Sequence, residues 1–151
     1  MKKFLSFLLA AGLSLPVFAA AEDSTVTYEA EKAALNGNLR VSTDASCSGW
    51  KTVGSFDNKA DTLTFTVTVP ADGVYDLTLR TKGTGGVKTN LILVDGQQAA
   101  QFDSPAMVYG DVTVPGVLLT AGEHSITIAV SWGYIYVDYL KVTPAVAIDN
   151  S

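Results

Sequence analysis

The sequence predicts an all-β protein, an antiparallel sandwich or barrel, and three observations carry that prediction. Apolar and polar residues alternate with a period of two through several segments, the mark of half-buried strands. Turn signals such as Pro-Ala-Asp-Gly, Asp-Gly and Ala-Gly recur between those segments at short, regular spacing. Helical periodicity is almost absent after the first 21 residues.

Those first residues are a leader rather than part of the fold. Lys2 and Lys3 precede an apolar run from Phe4 to Phe18, and small residues follow for cleavage after Ala19 or Ala21. The run is too short for a comfortable membrane span, and no cysteine stands at the cleavage point to take a lipid. The expected product is secreted, to the periplasm or outside the cell, with no membrane partner after cleavage. One domain is expected over residues 22–143, and residues 144–151 read as a short tail or the start of a linker.

The strands follow in order. "TYEAEK" opens the domain, with Glu29 and Glu31 expected on one strand face. "DTLTFTVTVP" puts Leu63, Phe65, Val67 and Val69 on one face and threonines on the other. After the turn "PADG", "GVYDLTLRTKG" alternates Tyr75, Leu77 and Leu79 against Asp76, Thr78 and Arg80, and the two runs read as a hairpin. "TNLILVDGQQAAQF" reads as a second pair around Asp95-Gly96. "VTVPGVLLTAGEHSITIAV" reads as a third around Ala121-Gly122, with Ile126, Ile128 and Val130 inward. "YIYVDYLKV" is the last strand.

Composition excludes several functions. The chain of 151 residues carries a formal charge of −5, and loss of Lys2 and Lys3 with the leader takes it to −7. An acidic product without a basic patch is a poor partner for nucleic acid. Cys47 is the single cysteine, so no intrachain disulfide forms, and it reads as a buried small residue. His124 is the single histidine and starts a strand after a turn. One histidine and one cysteine make no Cys/His metal cluster, and no nucleophile-elbow sequence is present. Two carboxylates side by side on one strand face point in parallel and do not flank a substrate as a glycosidase pair must. A non-enzyme is expected.

Adjacent carboxylates have another use. Glu29 and Glu31, about 6–7 Å apart along a strand, repel each other unless they are simply solvated or share a hard cation. Calcium takes six to eight oxygens and would turn the repulsion into coordination. Asp138, charged within an otherwise apolar strand, is the third candidate ligand, and one ion would then tie the first strand to the last.

Three stretches taken together resemble a carbohydrate-binding module of family 35. They are "TYEAEKAAL", "GW" followed by "VGSFDNKADTLTFTVTVPADGVYDLTLR", and "LTAGEHSITIAVSWGYIYVDYLKV". The resemblance runs from about Thr27 to Val142, and the "SWGY…VDYL" ending is most similar to modules of mannan-degrading enzymes. It implies a galactose-binding-like jelly roll with a structural calcium held by Glu29, Glu31 and Asp138, completed by backbone carbonyls near Ser48 to Lys51. It also implies non-catalytic binding of a plant-type polysaccharide, mannan or galactomannan first, by loops at one end of the sandwich.

Sugar rings present an apolar C–H face on which aromatic side chains stack. Trp132 and Tyr134, in the loop before the last strand, are the expected platform, with core packing the alternative for Trp132. Trp50 and Tyr109 are further aromatic candidates, and Asn90 and Asp57 are candidate hydrogen-bonding groups, Asp57 equally suited to holding its own turn. A single exposed platform implies roughly 4–6 kcal/mol, a high-micromolar to millimolar affinity. "TKGTGGVKTN" lacks an aromatic that some mannan-type modules carry, and "QFDSPAMVYGD" lacks the tryptophan of uronic-acid-binding members. Such modules usually ride on a glycoside hydrolase, which makes one an expected partner. The rival reading is a calcium-stabilised structural or adhesive subunit of an extracellular assembly.

Overall fold

The computed structural model describes residues 24–145. The leader and its cleavage sites, and most of the expected tail, lie outside the described residues. Two antiparallel sheets face each other. The first holds β1 (Val26–Glu29), β3 (Arg40–Thr43), β4 (Lys51–Gly54), β6 (Gly73–Gly83), β9 (Gly110–Leu119) and β11 (Ile135–Pro144). The second holds β2 (Ala34–Asn36), β5 (Thr62–Val69), β7 (Lys88–Val94), β8 (Gln97–Ser104) and β10 (Gly122–Ala129), in the order β2-β5-β10-β7-β8. Among the described residues no helix is long and apolar enough to cross a membrane.

The alternating patterns supply the core. Leu63, Phe65 and Val67 of β5 and Ile126 and Ile128 of β10 face Leu77 and Leu79 of β6 and Val137 and Leu140 of β11, and all are buried. Each such side chain contributes roughly 1.5–3 kcal/mol on burial. The polar partners of the alternation lie outside, where Thr64 and Thr127 pair hydroxyls across β5 and β10 at 2.9 Å.

Two expected hairpins are instead links between the sheets. β5 pairs with β2 and β10, whereas β6 pairs with β9 and β11. The "PADG" turn therefore arches over the core, and Thr120-Ala121 does the same between β9 and β10. The reason is burial: the apolar faces of β5 and β6 are satisfied by each other across the sandwich, not side by side. The arches are tied together, since Tyr75 donates its hydroxyl to the Ala71 carbonyl at 2.7 Å and Ala121 N–H donates to Asp72 at 2.8 Å. Asp95-Gly96 does close the expected β7–β8 hairpin.

The last strand runs two residues beyond its expected end at Val142, to Pro144, and Ala145 N–H still bonds the Val74 carbonyl. First and last strands pair directly, Glu29 opposite Tyr139. Strand direction places the connections 55–61, 84–87, 105–109 and 130–134 at one end of the sandwich and the two arches at the other.

Candidate functional site

The loop end is built around Asn90. This residue is fully buried at the start of β7, and its side-chain oxygen accepts backbone N–H groups from Ser131 at 2.9 Å and Gly133 at 2.8 Å. Its Nδ2 donates to the Gly133 carbonyl at 3.3 Å. Trp132 N–H donates to the Thr89 carbonyl, and Tyr134 N–H to the Phe56 carbonyl. The loop 131–134 is thus pinned from beneath, and its two aromatic side chains point away from the core. Trp132 is 64% exposed and Tyr134 51%. Gly133, at φ +82°, cannot be replaced without strain, because a Cβ there would lie 2.4 Å from the Phe56 carbonyl oxygen.

Asn90, a candidate for hydrogen-bonding the ligand, has its amide oxygen bonded to two loop N–H groups and its Nδ2 to a loop carbonyl, so it holds the loop that carries the aromatics. The period-two pattern contains the signal: Asn90 and Ile92 share the inward face of β7, and a buried amide needs fixed partners. Asp57 is exposed beside this loop, and its own turn is held by a different carboxylate. Asp61, missed in the sequence, is buried and accepts N–H groups from Asn38, Asp57 and Asn58 at 2.7–2.9 Å. Burial pushes its carboxyl upward, but those three donors prevail and hold it below the usual range. Lys59 and Lys88 flank the platform. Lys59 Nζ donates to the Ser131 carbonyl at 3.1 Å, and Lys88 Nζ lies 5.5 Å from the Trp132 ring centre.

The other two aromatic candidates do not join this platform. Trp50 is 66% exposed but stands just before β4, roughly 13 Å of extended strand from Gly54 at the loop end. Its φ of +61°, following Gly49 at +60°, is an outlier for a bulky residue. Tyr109 folds back over the outer face of the first sheet. Its hydroxyl donates to Thr52 Oγ1 at 2.8 Å, and Arg80 and Lys82 lie 4.9 and 4.6 Å from its ring centre. Burial, reinforced by a hydrogen bond with Cys47, pushes its phenol well up.

A half-open cleft of about 430 Å³ lies between β1 and β5, lined in part by Tyr28, Glu29, Thr64 and Thr66. It holds none of the loop-end aromatics. A stacking platform needs a flat exposed face rather than an enclosed volume, so the loop end remains the candidate for sugar.

The acidic residues meet at the flank. β1 ends at Glu29, and the next three residues form a 3₁₀ turn that buries Ala30. Glu31 is therefore not on the strand, contrary to the alternation. Both carboxylates nevertheless face one turn, 48–50: Ser48 Oγ donates to Glu29 Oε2 at 2.8 Å, and a Cβ on Gly49 would lie 3.2 Å from Glu31 Oε1. Asp138 is the extra residue of a β-bulge in β11, between Val137 opposite Thr81 and Tyr139 opposite Arg80. It is fully buried, accepts Ser48 N–H on both oxygens at 3.0 and 3.1 Å, and pairs with Arg80 at 2.8 Å.

Glu29 Oε1 and Glu31 Oε2 are buried without a hydrogen-bond partner among the described residues. Two orphaned carboxylate oxygens facing one turn fit a hard cation. Among the described residues no three His, Cys, Asp or Glu side chains are gathered as a ready metal group, Asp138 being engaged by Ser48 and Arg80.

The comparisons agree with this architecture. Residues 26–145 match the model of the carbohydrate binding module, family 35. A mannan endo-1,4-beta-mannosidase of Thermothelomyces thermophilus is 35% identical over 83% of this chain, and mannan endo-1,4-beta-mannosidase B of Piromyces sp is 34% identical over 80%. The matches span only 27% and 21% of those proteins. Among solved structures, the Podospora anserina GH26-CBM35 beta-(1,4)-mannanase superposes with a TM-score of 0.78 at 29% identity, covering 85% of this chain and 29% of that one. A family 35 module from Clostridium thermocellum superposes at 0.71 with 27% identity, covering 81% of this chain and 99% of that one. With the family model matched over residues 26–145, and a solved family 35 module matched over 99% of its own chain, this chain belongs to carbohydrate-binding module family 35.

Proposed function

We propose that this chain is a secreted, non-catalytic module that binds mannan or galactomannan through Trp132 and Tyr134. The observation that carries the reading is the pair of exposed aromatics on a loop whose backbone is fixed by a buried asparagine. Such a platform is pre-organised, so little side-chain or loop entropy is lost when a sugar ring stacks on it. Asp57, Lys59 and Lys88 stand around it as hydrogen-bonding groups for ring hydroxyls. The mannanase relatives support mannan as the polymer. Attachment to a glycoside hydrolase would hold that enzyme near its substrate and raise its effective concentration there.

Calcium is the proposed structural ion. Glu29 and Glu31 would hold it through their orphaned oxygens, with Asp138 as the third carboxylate through Oδ1, which accepts only from Ser48 and retains acceptor capacity, while Oδ2 also pairs with Arg80. When bound, the ion would neutralise the half-buried carboxylates of Glu29 and Glu31 and tie β1 to the β11 bulge.

Electrophoresis through gels containing galactomannan, glucomannan, xylan or pectin tests the reading. Retardation is expected in a mannan gel. A folded protein that migrates unretarded through all four contradicts it.

A further inference from the structure

We propose that Met107 forms a second, thioether wall of the loop-end site, so that a neutral sugar chain lies against Trp132 and Tyr134 on one side and Met107 on the other. This rests on the carbohydrate reading above. The loops 83–86, 105–108 and 131–134 are hydrogen-bonded into one surface. Thr84 N–H donates to the Tyr134 carbonyl at 2.9 Å, and the next residue, Gly85, donates its N–H to Met107 Sδ at 3.0 Å. Consecutive Cα atoms are about 3.8 Å apart, so Tyr134 and Met107 are neighbours across a single dipeptide.

Met107 is placed, not loose. Its N–H donates to the Gly83 carbonyl at 2.8 Å, and Gly83 N–H donates to the Pro105 carbonyl at 2.7 Å. Its sulfur is anchored, yet the residue is 64% exposed. Its φ of +66° lies in the left-handed region, as does that of Tyr134 at +55°. Strained backbone on both sides of one dipeptide, each carrying an exposed apolar side chain, is the pattern of a binding surface rather than of packing. Val108 beside it is exposed as well. A polarizable thioether and a valine bring no charge, so this wall suits the C–H face of a neutral hexose ring rather than a carboxylate.

The test combines binding and a local probe. Met107→Ala should weaken galactomannan binding about tenfold, while Met107→Leu, which keeps the apolar volume, should lose much less. Thermal melting establishes that each variant is folded. The only other methionine is Met1, in the leader, so the Met107 methyl carbon is a unique NMR signal in the protein without its leader. It should shift on adding galactomannan oligosaccharides to the unmutated chain, whatever the variants do. Unchanged binding by folded Met107→Ala, or a methyl signal that does not move while the protein binds, overturns the assignment alone. An unmutated protein that binds no polymer overturns the carbohydrate reading, and this inference with it.

Discussion

Ser48 donates its backbone N–H to both carboxylate oxygens of Asp138, at 3.0 and 3.1 Å, and so joins the turn 48–50 to the bulge of the last strand. The same residue reaches Glu29 with its hydroxyl. One serine therefore sits between the acid of the first strand and the acid of the last, where the proposed ion would bind.

That arrangement predicts a calcium-dependent stability. Binding at a hundred times the dissociation constant stabilises by about 2.7 kcal/mol, which corresponds to a Tm difference of roughly 5–10 °C between calcium and EDTA. Glu29→Gln and Glu31→Gln should each shrink that difference sharply. Equal melting with and without calcium would remove the ion from the account.

Asn90 yields a prediction that separates positioning from contact. Asn90→Ala strands the N–H groups of Ser131 and Gly133 and leaves a small void, costing roughly 1–3 kcal/mol per unsatisfied group. Denaturant unfolding should report that loss, and sugar binding should weaken although Trp132 is untouched. A variant with lost binding and unchanged stability would instead mean that Asn90 touches the ligand.

His124 predicts a pH dependence at the arch end. Its Nδ1 meets Asp95 Oδ2 and its Nε2 the Thr120 carbonyl, both at 2.7 Å, so both ring nitrogens face acceptors. The hydrogen bond to Asp95 is the main cause that raises the imidazole above its ordinary 6.5, and the same bond lowers Asp95 below 3.8. The raised histidine stabilises the fold fully below 6.5 and loses that contribution as pH rises through its folded value. The lowered aspartate contributes above 3.8 and loses it as pH falls. The tie is strongest between about pH 4 and 6.5. Tm should fall from pH 6 to pH 8, and His124→Gln should flatten that slope; an unchanged slope would contradict it.

Period-two alternation made the strands and the core legible, from Leu63 to Val142. It did not distinguish a hairpin from an inter-sheet arch, because both bury the same faces; only pairing partners separate them, and those are long-range. The acids were legible as a group, but the 3₁₀ turn at Glu31 was not, since it follows from burying Ala30 and from where the pairing of β1 with β11 ends. Trp132 and Tyr134 stood out as aromatics beside a turn glycine. Trp50 has the same local pattern and lies elsewhere, because its position is set by where β4 begins. Met107 gave no local signal: its role depends on three loops meeting.

The central claim is that sugar binds at the loop end, on Trp132, and not on the flank, on Trp50. Trp132→Ala and Trp50→Ala, run beside the unmutated protein in one galactomannan gel, test it directly. The account predicts that Trp132→Ala migrates as in a gel without polymer, while Trp50→Ala remains retarded. Retardation kept by folded Trp132→Ala and lost by Trp50→Ala would contradict it and move the site to the flank.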